Sequence, residues 1–290
     1  MTALALGLVV LAACSHATWN LLTKQSRHHL AFLWWTGLVG TVLYLPAVLW
    51  SGAGGPWPAT TWAGIALAAV VRAAYLAALG SAYARGDLSQ VYPLARGVAP
   101  ILVPPAAMLL LGERPTGIGL VGVLTVGLGV YVLHLPAFRR TVWLAPFRAL
   151  RAGPARWAIL TGGLTTVYSL LDAWNVRRGV PPLFYAWATI PVAALLLAPG
   201  AWRAPAACRA EWRAASARIA AVAVLMTGGY YLILLAVRIA PVSYVAPARE
   251  LSIVFGTLLG ITVLGEWHPA PRLAGAALIL AGVLVLGAAA

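Results

Sequence analysis

Acidic side chains are scarce in this chain: six Asp and Glu stand among 290 residues, against nineteen Arg and a single Lys. Charged residues of both signs make up only 9% of it, far below the roughly 25% of an ordinary soluble domain. Cysteine is nearly absent too. Cys14 lies inside an apolar run and Cys208 in a connection, so there is neither a disulfide framework nor a zinc-ligand spacing. The acids and the five His are scattered, and no hydrolase elbow, phosphate loop or nucleotide fingerprint occurs. No catalytic residue, metal or cofactor is expected. Long polar stretches are also missing, which leaves little room for a separate soluble domain.

What is abundant is apolar. Hydrophobic residues are 62% of the chain and the mean hydropathy is +0.89, the composition of an integral membrane protein. Roughly 20 apolar residues make one helix across the hydrocarbon. Runs at about 3–22, 31–50, 62–84, 89–111 and 115–134 give five spans, and runs at about 157–176, 183–201, 217–237, 241–264 and 271–289 give five more. The expected fold is an all-α polytopic membrane protein of ten transmembrane helices. Residues 1–138 form one five-helix unit, 139–156 a basic linker and 157–290 the second unit. The net charge of +14 would suggest nucleic acid in a soluble protein, but here the Arg sit at loop edges, so no nucleic-acid partner is expected. Cytoplasmic loops collect Lys and Arg. With the N-terminus outside, the cytoplasmic connections hold Lys24, Arg27, Arg85, the basic linker and the 203–218 stretch, and the outer ones little beyond Arg114, Arg177, Arg178 and Arg238. Loop charge therefore favours both termini outside.

One module occurs twice. Val91-Tyr92-Pro93-Leu94-Ala95-Arg96 leads to Leu111-Gly112-Glu113, and Val245-Ala246-Pro247-Ala248-Arg249 leads to Leu264-Gly265-Glu266, with 17 residues from Arg to Glu in each. Gly122 and Gly275 follow their Glu by nine residues, and Gly129 and Gly282 by sixteen. Trp19-Asn20 is echoed by Trp174-Asn175. Because each copy has an odd number of spans, the second enters the membrane from the opposite side, giving two inverted five-helix repeats with a substrate site expected near the midplane between them.

A charged side chain inside a span needs a partner, a wet cavity or a function. Arg72, Arg96, Arg249 and Glu250 meet that description. Arg72 sits in the middle of the third span, where the second copy has about Leu225, and Glu250 stands where the first copy has Gly97. These departures from the repeat mark Arg72 as the central ligand-binding cation and Glu250 as a counter-ion or proton carrier. Tyr92 lies one turn before Arg96. Pro93 and Pro247 weaken the helix ladder beside the two symmetric Arg. Thr165, Tyr168, Asp172 and Asn175 form a polar stripe on the sixth span, and His16, Asn20 and Lys24 another on the first. The expected substrate contacts are Trp19, Asn20, Arg72, Tyr75, Tyr92, Arg96, Tyr168 and Arg249, with Asp172, Glu250 and His16 as counter-ions or proton sites. Trp34, Trp35, Tyr185, Trp187, Tyr230 and Tyr231 are cavity candidates for which an interface-anchor role is the simpler reading. Glu113 and Glu266 read as tight turns between spans. The glycines of the fifth and tenth spans read as close-packing or homodimer faces.

These motifs, His16 to Lys24, Val91 to Arg114 and Pro247 to Glu266, resemble the EamA-like ten-helix branch of the drug/metabolite transporter superfamily over nearly the whole chain. The resemblance implies inverted repeats around a central cavity lined mainly by helices 1, 3, 4, 6, 8 and 9, and transport of small metabolites without ATP. It also implies cytoplasmic termini, against the loop charge. The expected function is secondary transport of a small anionic or zwitterionic metabolite in the bacterial inner membrane, with proton coupling through the acids named. A broad exporter of aromatic or cationic compounds and a lipid-modifying membrane enzyme are the rival readings.

Overall fold

The computed structural model describes residues 1–52, 55–85, 88–133, 135, 153–264 and 270–289. The side chains at 76, 80, 82–85, 88–96, 153–155, 260, 261 and 264 are not among the parts described. The described residues form helices without strands: α1 (Ala3–Lys24), α2 (His29–Trp50), α3 (Ala59–Arg85), α4 (Leu88–Leu111), α5 (Gly117–Leu133), α6 (Gly153–Arg177), α7 (Pro182–Trp202), α8 (Pro205–Ile239), α9 (Val242–Ala248), α10 (Leu251–Leu264) and α11 (Ala270–Ala288). Nine of the ten spans are single helices, and the ninth is the broken pair α9 and α10. Among the described residues, six helices are long and apolar enough to cross a membrane: α1, α2, Ala59–Leu79 of α3, α7, α8 and α11. Among the described residues α4 adds the shorter apolar stretch Gly97–Leu111 and α5 its full length, while Asp172 lies in α6 and Arg249 and Glu250 lie in the gap between α9 and α10.

Helix pairing follows the expected inverted symmetry. α3 packs on α6 as α8 packs on α1, and α4 packs on α6 as α10 packs on α1. α2 with α7, and α5 with α11, each pair with their own counterpart. The α5–α11 contact is a glycine seam. A Cβ on Gly282 would meet Val126 N at 2.7 Å, one on Gly129 would meet Ile279 N at 2.7 Å, and one on Gly275 would run into the Leu133 backbone. The glycines spaced from Glu113 and Glu266 thus let the two repeats touch backbone to backbone. Their faces are consumed inside the chain, so a homodimer through these two helices has only their outer, lipid-facing sides to use. The ends are tied as well: the Met1 ammonium donates to the Leu286 carbonyl at 2.8 Å.

The fourth and ninth spans differ where the repeat predicts likeness. α4 runs unbroken through Pro93 and Arg96, whereas the helix after Pro247 ends at Ala248 and restarts at Leu251. Across the gap the Glu250 N–H donates to Pro247 O at 3.0 Å, and those of Ser252 and Ile253 to Arg249 O and Glu250 O, a run of tight three-residue turns. Intrinsic propensity would favour a break at Gly97 rather than at Glu250. Pro247 stands two residues before its Arg and Pro93 three, so the missing N–H and ring clash fall in the last turn of α9.

Acids face inward. The described carboxylates Glu113, Asp172, Glu211 and Glu250 have 2–7% exposure, while Arg27, Arg114, Arg178, Arg203, Arg209, Arg213 and Arg238 are exposed. Glu211 accepts the N–H of His28 at 3.0 Å, capping the start of α2.

The seam yields a direct test. Gly275→Val should abolish monodisperse protein in detergent size-exclusion chromatography, whereas Gly117→Ala, whose Cβ would meet nothing within 4 Å, should leave the elution profile and Tm unchanged.

Candidate functional site

Arg72 and Asp172 meet at the centre of the bundle, one from each repeat. Arg72 Nη2 lies 3.1 Å from Asp172 Oδ2 and 2.7 Å from the Tyr230 hydroxyl of α8. Tyr185 of α7 donates its hydroxyl to Asp172 Oδ1 at 2.9 Å. Four helices therefore converge on one ion pair. The guanidinium is sandwiched by aromatic faces, 4.6 Å from the Tyr168 ring and 4.3 Å from that of Tyr230, and both contacts favour the cation. Tyr75 meets Tyr168 edge to face at 5.6 Å. Tyr168 and Asp172 reach the same guanidinium because they lie one turn apart on α6. Arg72 Nε is buried without a hydrogen-bond partner, so one of its five donors is unspent.

A small cavity adjoins the pair, lined by Ser169, Asp172, Val237, Val242, Ala246 and Arg249 among others. It holds about 10 Å³ of free space, the room of about one water. Arg249 reaches it from the break in the ninth span. Two cations, Arg72 and Arg249, thus flank one carboxylate, and Glu250 is buried at the same break.

The sequence-predicted residues divide. Arg72, Tyr75, Tyr168, Asp172 and Arg249 come together. Tyr92 and Arg96 have side chains outside the described residues. Trp19 packs in an apolar cluster with Phe32, Ile219 and Val222. Asn20 is exposed and turns its amide to the His16 carbonyl at 2.7 Å, and His16 meets the Trp19 ring edge at 4.8 Å. These contacts of Trp19 and Asn20 involve no residue of the Arg72 cluster. On the sixth span, Thr165 bonds back to Thr161 O and Asn175 to Leu171 O. Asn175 also packs on Gly64, where a Cβ would collide with it.

Three contacts lie beyond what the sequence pattern shows. Tyr185 and Tyr230 turn their hydroxyls into the ion pair rather than anchoring at an interface; their spacing carries no signal of that. Glu113 is more than a turn. Its Oε1 and Oε2 accept the N–H groups of Val242 and Ser243 at 2.8 and 2.9 Å, capping the start of α9, and Arg177 Nη2 lies 2.7 Å from Oε1. Arg177 also donates to Val237 O at 3.2 Å and to Ala240 O at 2.9 Å.

A family model of the EamA-like transporter family matches residues 3–135 and 154–288, both repeats of the chain. The chain belongs to the EamA-like transporter family. It is an integral, multi-pass membrane transporter of small molecules, in a family of transporters rather than enzymes. Among curated proteins none matches it. A solved crystal structure of a protein 17% identical superposes with a TM-score of 0.75 over 98% of this chain and 96% of the other, a likeness of fold alone.

In this transporter Asp172→Asn removes the counter-charge and leaves the largely buried Arg72 without an ionic partner. Breaking a buried pair from one side costs about 3–5 kcal/mol, so thermal unfolding in detergent should show a clear fall in Tm. Arg72→Gln combined with Asp172→Asn, which removes both charges, should recover most of it.

Proposed function

We propose that this EamA-like transporter carries a small metabolite bearing a carboxylate, zwitterionic or anionic, by alternating access, with Arg72 as the substrate's anion partner. The observation that carries the reading is the Arg72–Asp172 pair at 3.1 Å, built from both repeats beside a cavity that Arg249 also lines. Asp172 stands where a substrate carboxylate would sit, and the pair neutralises Arg72 while the site is closed. The free Arg72 Nε donor and the second cation at Arg249 favour a carboxylate over a neutral ligand.

When a substrate carboxylate takes Arg72, Asp172 loses its counter-ion in a buried site and must be neutralised. A zwitterion does this with its own ammonium. A simple anion does not, and then a proton on Asp172 completes the exchange, which couples anion movement to protons. Glu250 is the second proton carrier in this scheme, and the protein works in the bacterial cytoplasmic membrane.

Proteoliposomes of the full chain should therefore accumulate label from a radiolabelled amino-acid mixture, or from succinate when the interior is made alkaline. Arg72→Lys keeps the charge but loses the fork that grips a carboxylate, and should lower the initial rate at least about tenfold at unchanged Tm. Uptake by this variant at the parent rate would overturn the assignment. Protection of cells against unrelated hydrophobic cations, without movement of either probe, would favour an exporter of cationic compounds instead.

A further inference from the structure

The contact of Glu113 with α9 has a place in the transport cycle. Glu113 ends the fourth span of the first repeat, and the N–H groups it accepts open the ninth span of the second. Arg177, at the end of α6, bonds the same carboxylate and the carbonyls of Val237 and Ala240 at the end of α8. Three helix ends and one helix start are thus pinned by two side chains, all on the membrane face that carries both chain termini. Of the four backbone atoms they hold, two belong to Val237 and Val242, and these two residues line the cavity beside Asp172. At the other end of α9, Arg249 faces the same cavity. A seven-residue helix set off by the break at 249–250 has few bonds of its own, so its position depends on what grips its start.

We propose that Glu113 and Arg177 are positioning residues for transport: they close the cavity on the face of the termini and set α9, and with it Arg249, in register with the substrate site. This rests on the alternating-access reading above, in which that closure has to release once per cycle. The carboxylate is the essential group, because it accepts two backbone N–H bonds where the helix start carries partial positive charge. Arg177 adds a charge-assisted bond and bridges to α8. Under the 153-residue offset that relates Arg96 to Arg249, Glu113 corresponds to Glu266, which lies outside the described residues.

The test uses the full chain with Cys14→Ala and Cys208→Ala and a single reporter, Ala246→Cys, in membrane vesicles of both orientations. The probe is a membrane-impermeant maleimide, and no substrate is needed. Glu113→Gln should raise labelling about tenfold from the face of the termini, as losing a bond to a charged group implies, with no rise from the opposite face. Arg177→Gln should act in the same direction. Glu113→Asp keeps the capping carboxylate and should stay within about threefold of the parent. The exchange Glu113→Arg with Arg177→Glu should not restore protection, since the N–H groups of Val242 and Ser243 then face a cation.

Parent-like labelling of both Gln variants would overturn the proposal. So would an equal rise from both faces, the mark of general loosening, or restoration by the exchanged pair, the mark of a plain ion pair. Side-specific labelling as expected, combined with Arg72→Lys uptake at the parent rate, would leave this closure standing and remove only the substrate-site assignment.

Discussion

An ion pair inside a membrane bundle is the constraint around which the other parts are arranged. Arg72 lies in a span that is otherwise apolar on both sides, where a lone guanidinium is costly by at least about 2.5–3.5 kcal/mol. Asp172 at 3.1 Å, the Tyr230 hydroxyl at 2.7 Å and two tyrosine faces offset that cost. Because the pair joins α3 of one repeat to α6 of the other, it forms only when the halves are correctly docked. The glycine seam between α5 and α11 supplies an independent contact between the repeats, one that involves no charge and so can persist while the central pair exchanges partners.

Symmetry and its violation have separate uses in this chain. The duplicated features build the frame: glycines at matched spacing let backbones touch, and matched helix pairings recur about the axis relating the repeats. The residues proposed to handle substrate lie where the copies differ. Arg72 faces Leu225 in the alignment of the halves, and the ninth span breaks beside Glu250 while the fourth runs straight through Gly97. A break frees part of a span to move as a short unit, and places Arg249 at a helix end beside the cavity. The expectation that Pro93 and Pro247 act alike fails for this reason: the same residue type has a different effect in the last turn of a short helix than near the start of a long one.

Much of this was legible in sequence because it is written in local pattern. Ten spans, two copies, Arg72 as an intramembrane cation and the Tyr168–Asp172 face all follow from hydropathy, register and helical spacing. What was not legible is contact between remote positions. Glu113 binds backbone 129 positions away, and read locally it is only a turn. Tyr185 and Tyr230 look like any interface tyrosine until α7 and α8 are docked. Trp19 and Asn20 are echoed at Trp174-Asn175 in the sequence, and which contacts they make was equally hidden: Trp19 packs against an apolar cluster and Asn20 is exposed.

The central claim is that Arg72 and Asp172 serve a substrate and not only the fold, and the doubly neutral variant Arg72→Gln/Asp172→Asn separates these roles, since it removes both charges together and leaves neither buried alone. Its uptake of the labelled amino-acid mixture and of succinate into proteoliposomes, measured beside its Tm, is the most direct measurement. The account predicts a Tm close to that of the parent with uptake of both probes reduced to background. Parent-like uptake by this variant of a probe that the parent transports would contradict it.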